Sequence, residues 1–135
     1  MKKDIVFPTV DGIKVAVARQ FDEQGNALWE VFLINRLKTP IDTVFVTARG
    51  YGADPDGHKI KTTSLRYFFK EIPGETIVKV EPISPDVFHI TNEYWVSYYI
   101  GNQIFDKKFI FVPESIREEN LIFIHQLNLS AVLHE

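Results

Sequence analysis

The chain has 135 residues, a net charge of −3 and a hydrophobic share of 45%, which is typical of one soluble globular domain. It has no cysteine, so disulfides, thiolate metal sites and cysteine nucleophiles are excluded. The acidic balance argues against a nucleic-acid partner, and no apolar run approaches the roughly 20 residues of a membrane-spanning helix. We therefore expect a cytoplasmic protein with no cofactor, no membrane partner and no nucleic-acid partner.

Short apolar runs separated by turn residues predict a series of β-strands along the first half of the chain. An edge strand is expected over residues 4–9, followed by an alternating strand that begins at Ile13. Residues 29–35 and 41–51 predict two further strands. Because only residues 36–40 separate these two strands, we expect them to be antiparallel neighbours.

The second half of the chain continues this pattern. Residues 59–70 predict one strand, and a type II turn over residues 72–75 leads to another at residues 77–80. Pro82 and Pro85 then interrupt the pairing pattern, which indicates a connection that crosses between sheets. Residues 93–100 and 104–112 predict a hairpin, and Ser115 with Glu118 has the spacing of a helical capping box.

Seven or eight strands at intervals of 8–12 residues, without a long helix, predict an all-β antiparallel β-sandwich. We expect a sandwich domain over residues 1–112. Residues 113–135 are expected to form a C-terminal extension that packs on the sandwich or on a partner.

Two stretches resemble immunoglobulin-like bacterial modules. In residues 35–46, Asn35 ends one strand, a short connection carries Pro40, and the next strand has the pattern Ile-x-x-Val-x-Val. Residues 72–76 resemble the Pro-Gly-Glu turn that such modules place before a late strand. The resemblance implies an immunoglobulin-like sandwich, and it concerns the fold rather than an activity.

The chain also resembles a group of short uncharacterised bacterial proteins that sometimes carry a phenylalanyl-tRNA synthetase alpha-subunit label. The resemblance rests on Gly50-Tyr51-Gly52, on residues 63–66 and on residues 92–101. It implies a tRNA-synthetase-associated protein as one alternative function.

No stretch has the spacing of a catalytic or metal site. Asp54 and Asp56 begin like a calcium loop, but Leu65 stands where an EF-hand loop needs a glutamate. No two of the four histidines have metal-ligand spacing. We expect a hairpin loop at Asp54, structural histidines and a non-enzymatic protein. An enzyme whose residues meet only in the folded chain is the remaining alternative.

The densest aromatic cluster supplies the candidate ligand-stacking residues, which are Tyr94, Trp95, Tyr98 and Tyr99. Alternation places Trp95 and Tyr99 on one face of a strand and Tyr94 and Tyr98 on the other. One face belongs to the core, and the other is a candidate surface for stacking on a sugar ring or a peptide. Aromatic packing between neighbouring strands is the alternative explanation.

Several predicted strands are apolar on both faces, although a strand in a two-sheet sandwich buries only one face. Either the C-terminal segment or a second copy of the chain is expected to cover the surplus face. The candidate interface residues are Phe32, Ile34, Phe45, Phe105, Phe109 and Phe111. Our leading hypothesis is a self-associating interaction module, most simply a homodimer. The alternative is a carbohydrate- or small-ligand-binding sandwich.

Overall fold

The computed structural model describes residues 11–134, so the strand expected over residues 4–9 lies outside the described residues. Within this range, ten β-strands form two antiparallel five-stranded sheets, and no α-helix occurs. The prediction of an all-β antiparallel sandwich is confirmed, with more strands than expected. No helix among these residues is long and apolar enough to span a bilayer.

The strands follow the alternating apolar runs of the sequence. They are β1 (Ile13–Phe21), β2 (Ala27–Asn35), β3 (Ile41–Ala53), β4 (Lys59–Lys61), β5 (Leu65–Ile72), β6 (Thr76–Pro82), β7 (Thr91–Ile100), β8 (Gln103–Phe111), β9 (Ile122–Ile124) and β10 (Leu129–His134). Sheet A has the order β6-β2-β1-β10-β9. In sheet B, β4 and β5 pair with the same edge of β3, and β7 and β8 follow on its other side.

The prediction that β2 and β3 are neighbours in one sheet is wrong, because they lie in opposite sheets. Asn35, which is fully buried, explains the crossing. Its side-chain oxygen accepts the backbone N–H of Leu37 at 3.0 Å, and its amide donates to the carbonyls of Thr39 and Pro73 at 3.1 and 3.0 Å. The side chain therefore holds the β2–β3 connection against the β5–β6 turn.

The β5–β6 turn also crosses between sheets, and it is not the predicted type II turn. The positive φ lies at Glu75, at 55°, and not at Gly74. Gly74 has a different requirement, since a Cβ atom there would collide with the backbone carbonyl of Lys38. The predicted crossing after Pro82 is confirmed, because β6 belongs to sheet A and β7 to sheet B.

The region predicted as one strand over residues 59–70 forms two strands, β4 and β5. The break lies opposite Gly50, whose N–H donates to the Thr62 hydroxyl at 2.7 Å. The predicted capping box is also wrong. Ser115 donates its hydroxyl to the Val112 carbonyl, and the short 3-10 helix of Glu118–Asn120 has no side-chain cap.

The inward faces of the two sheets form the main core, whose largest fully buried side chains include Tyr94, Phe109, Leu33 and Ile41. The segment expected as a C-terminal extension is part of this sandwich. Its strand β10 lies inside sheet A, between β1 and β9, and Val132 belongs to the core.

A second apolar cluster covers the outer face of sheet A. Its buried members are Ala16, Ala18, Phe32, Ile34, Ile124 and Ala131. Leu127 and Leu129 from the C-terminal hairpin pack against them. The central part of this face is therefore buried within the protomer, whereas Ile122 on the edge strand β9 is 52% exposed. Phe45, Phe68, Trp95, Ile104 and Ile110 form an exposed apolar group on the outer face of sheet B.

Candidate functional site

The outer face of sheet B is open to solvent across β5, β3, β7 and β8. Strand register arranges its side chains in rows that run across the four strands. From β5 to β8, one row contains Phe68, Phe45, Ser97 and Asp106. The next row contains Arg66, Thr47, Trp95 and Lys108.

Large and small side chains alternate between these two rows and leave a depression of about 240 Å³. We call it the aromatic slot and define it by Phe45, Thr47, Arg66, Trp95 and Ser97. Phe45 stands opposite Ser97, and Thr47 stands opposite Trp95. The slot therefore has two aromatic walls, a floor that carries two hydroxyls, and an arginine at its edge.

A neighbouring side chain supports each aromatic wall from outside the slot. The ring centroids of Phe45 and Phe68 lie 5.0 Å apart. On the other side, the Lys108 ammonium lies 5.1 Å from the centroid of the Trp95 ring. Lys108 is on β8, on the far side of Trp95 from Thr47, and Trp95 is 43% exposed.

The polar groups of the slot are unpaired within the part of the chain that the structure describes. Neither the hydroxyls of Thr47 and Ser97 nor the guanidinium of Arg66 has a hydrogen bond or ion pair with residues 11–134. A ligand could therefore use all three groups without breaking a contact inside this range.

Three polar residues on one side of the slot, by contrast, satisfy one another. Glu93 is 3% exposed, and its carboxylate lies 2.7 Å from Nε of Arg49 and accepts the Tyr51 hydroxyl at 3.2 Å. Burial alone would raise the pKa of Glu93, but the hydrogen bond and charge of Arg49 outweigh it and lower that pKa. Glu93 is thus a paired carboxylate and not a free acid or base.

The structure divides the predicted ligand-stacking residues between the two faces of β7. Tyr94 and Tyr98 are 2% and 3% exposed and belong to the core. Trp95 is 43% exposed on the open face, and Tyr99 is half-buried there. Trp95 is therefore the member of the predicted set that lines the slot.

The structure also places the predicted interface residues in different environments. Phe32 and Ile34 are buried on the outer face of sheet A, whereas Phe45 lies on the open face of sheet B. Phe109 and Phe111 are core residues instead of surface residues, and Phe105 packs against the core. Because β8 is apolar on both faces, its sequence did not show that Ile104 and Ile110 point outward. Sequence reasoning also missed Arg66, Thr47, Ser97 and Phe68, which strand pairing brings together.

Asp54, Asp56 and His58 place potential metal ligands within 4.8 Å of one another on the exposed β3–β4 turn. Oδ1 of Asp54 accepts the backbone N–H groups of Asp56 and His58 at 3.0 and 2.7 Å. Asp22 makes the same type of contacts in the β1–β2 turn, at 2.9 and 2.8 Å. The repeated arrangement identifies Asp54 as a hairpin residue, as the sequence predicted.

A second depression, of about 190 Å³, lies at the edge of the sandwich where β5 and β6 meet. There Glu81 of sheet A accepts the hydroxyl of Tyr67 at 2.5 Å and that of Tyr94 at 2.8 Å. Both tyrosines belong to sheet B, so this carboxylate links the two sheets. Burial first, and the bond to Glu81 second, raise the pKa of Tyr67 to about 12.

We expect this junction to make the protein less stable at high pH. The unfolded chain releases the tyrosine proton near pH 10, whereas folded Tyr67 holds it until about pH 12. The folded state therefore binds the proton more tightly than the unfolded chain does. The free energy of unfolding falls as the pH rises from about 10 to 12. Urea unfolding across this pH range should show that the free energy of unfolding falls less steeply with pH for Tyr67→Phe than for the wild type. Equal slopes of the unfolding free energy against pH would contradict the prediction.

The chain matches no known protein family, no curated protein and no solved structure in the three comparisons made. They therefore supply no relative for either the immunoglobulin-like or the synthetase resemblance.

Proposed function

We propose that the protein is a non-enzymatic, immunoglobulin-like binding module whose aromatic slot binds a carbohydrate. The strand order supports the immunoglobulin-like part of the proposal. Strands β2 and β3 lie in opposite sheets, and β3, β7 and β8 are consecutive in sheet B. This is the relation of strands B, C, F and G in immunoglobulin sandwiches.

The aromatic slot is the observation that supports binding. Its exposed rings, Phe45 and Trp95, offer flat apolar surfaces to the C–H groups of a sugar ring. The hydroxyls of Thr47 and Ser97 lie between them, where they can exchange hydrogen bonds with sugar hydroxyls. A volume of about 240 Å³ is below the roughly 300–1,000 Å³ of sites for drug-sized ligands. The slot therefore suits one ring of a saccharide.

Self-association through the same face is the second candidate, because several exposed apolar residues surround the slot. Phe68, Ile104 and Ile110 are 56%, 46% and 37% exposed. Together with Phe45 and Trp95 they present about 440 Å² if each fully exposed residue offers ~200 Å². A standard interface buries about 800 Å² per partner, of which roughly 57%, or about 450 Å², is non-polar. The apolar area of the open face is therefore sufficient for pairing with a second copy, which supports self-association as the second candidate.

Saccharide binding should depend on Trp95. We expect Trp95→Ala to weaken the binding of an oligosaccharide identified on a sugar array by tenfold or more, because it removes one wall of the slot. Isothermal titration calorimetry measures the change. The matched control is Phe21→Ala, which removes another exposed ring, at the β1–β2 hairpin, and should leave the affinity unchanged.

If no neutral or acidic saccharide binds at millimolar concentration, the proposed function is overturned. Light scattering over a range of protein concentrations, in the wild type and in Phe68→Ser, then tests the second candidate. A dimer that Phe68→Ser dissociates would assign the open face to self-association.

A further inference from the structure

We propose that the slot selects an acidic saccharide, a sugar ring that carries a carboxylate, and that Arg66 is the residue that binds this carboxylate. The inference rests on the proposed function, because it names the class of saccharide that the same slot takes. Arg66 pairs in register with Thr47 and lines the slot beside the aromatic walls. Its guanidinium is therefore next to the position of the sugar ring.

The charge of Arg66 is not neutralised by the acids of the open face. Glu93 is already bound by Arg49 at 2.7 Å. Asp106 lies on β8, three strands from Arg66, which is about 14 Å at ~4.8 Å between neighbouring strands. That separation exceeds the Debye length of about 8 Å at physiological ionic strength. Arg66 is thus an uncompensated cation beside the slot.

Lys108 adds positive charge on the opposite side of the slot. It stands in the same row as Arg66 and contacts the outer side of the Trp95 ring. The slot therefore lies between two cations, Arg66 and Lys108, and Arg49 is paired with Glu93. Asp106, beside Ser97 in the neighbouring row, offsets one of these charges and leaves a net positive charge around the slot. This local field favours an anionic ligand although the whole chain is acidic.

The chemistry of arginine favours a carboxylate as the anion. The planar guanidinium donates two parallel N–H bonds to a carboxylate, which fixes the orientation of the group as well as its charge. A uronic acid combines such a carboxylate with a ring whose C–H face can lie on Trp95 and whose hydroxyls can reach Thr47 and Ser97. A neutral sugar would make the ring contacts but leave Arg66 without a partner.

The test compares oligosaccharides of glucuronic acid and of glucose that have equal length, with acetate as a third ligand. Calorimetric titrations use the wild-type protein, Arg66→Gln and the control Arg117→Gln. Arg117 is also exposed, but it lies in the connection that precedes β9 and contacts Glu119 at 3.1 Å. We expect the wild type and the control to bind the glucuronic acid ligand about tenfold more tightly than the glucose ligand. Arg66→Gln should remove this preference, and 0.5 M salt should reduce it.

The outcomes separate this inference from the proposed function. Equal affinity for the acidic and neutral sugars, or an unchanged preference in Arg66→Gln, overturns the role of Arg66 while saccharide binding at the slot stands. Acetate binding as tightly as the glucuronic acid ligand would show a general anion site and overturn the sugar part. If neither sugar binds, the proposed function itself fails.

Discussion

Deletion of β10, by removal of residues 129–135, is expected to abolish folding. The strand pairs with β1 over five residues on one side and with β9 on the other. Val132 is buried in the main core, and Ala131 is buried in the cluster on the outer face of sheet A. Removal of β10 would therefore expose both apolar clusters to solvent.

The expected loss is large compared with the stability of a domain of this size. Each buried valine or leucine contributes roughly 1.5–3 kcal/mol, and the β1 pairing bonds are lost in addition. A typical domain is stable by only about 5–15 kcal/mol. The truncated chain should show no cooperative thermal transition by circular dichroism. Gln126→Ala, an exposed change in the β9–β10 turn, is the control that should melt like the wild type.

A folded monomer after this truncation would contradict the prediction. It would mean that one protomer folds without β10, as expected if the C-terminal residues served to pair two copies. Cooperative unfolding of the truncated chain, measured together with its mass in solution, distinguishes the two results.

Asn35→Ala is expected to destabilise the protein by about 3–5 kcal/mol, because each buried polar group left unpaired costs roughly 1–3 kcal/mol. The substitution removes the acceptor of the Leu37 N–H and the shared donor to the carbonyls of Thr39, Ile72 and Pro73. Two connections between the sheets lose their common support. Asn35→Asp should be no better, since a carboxylate cannot donate to these carbonyls.

Urea unfolding of Asn35→Ala and of Asn120→Ala provides a matched measurement. Asn120 also donates to a backbone carbonyl, that of Ser115 at 2.7 Å, but it is exposed to water, so its loss should cost less than about 1 kcal/mol. Similar unfolding midpoints for the two variants would show that the Asn35 contacts are not what holds the crossing together.

Local chemistry was enough to predict some elements from the sequence. The β7–β8 hairpin follows from two alternating runs on either side of Gly101, which has a φ of 60° in the turn. The departure of β3 from the sheet of β2 was not predictable in this way, because the crossing after Asn35 depends on Ile72 and Pro73, almost forty positions later. A short polar connection looks alike whether it makes a hairpin or joins two sheets.

The aromatic slot could not be predicted for the same reason, because local sequence does not show which strands pair. Alternation separated Trp95 from Tyr94 on one strand, but it did not show which of the two faces is exposed. The other slot residues become neighbours only through the pairing of β5, β3 and β7, and a shift of one residue would reverse their faces. Its members therefore follow from the register of three strands and not from any single stretch of sequence.

The support that Phe68 and Lys108 give to the slot walls has a consequence for the thermodynamics of binding. The ring centroids of Phe45 and Phe68 lie 5.0 Å apart, and the Lys108 ammonium lies 5.1 Å from the Trp95 centroid, so each wall has a packing partner before any ligand arrives. The ordering of a free side chain on association costs about 0.5–1.5 kcal/mol, and these partners lower that cost for Phe45 and Trp95. The walls of the slot therefore add less to the entropic cost of binding than unsupported rings would.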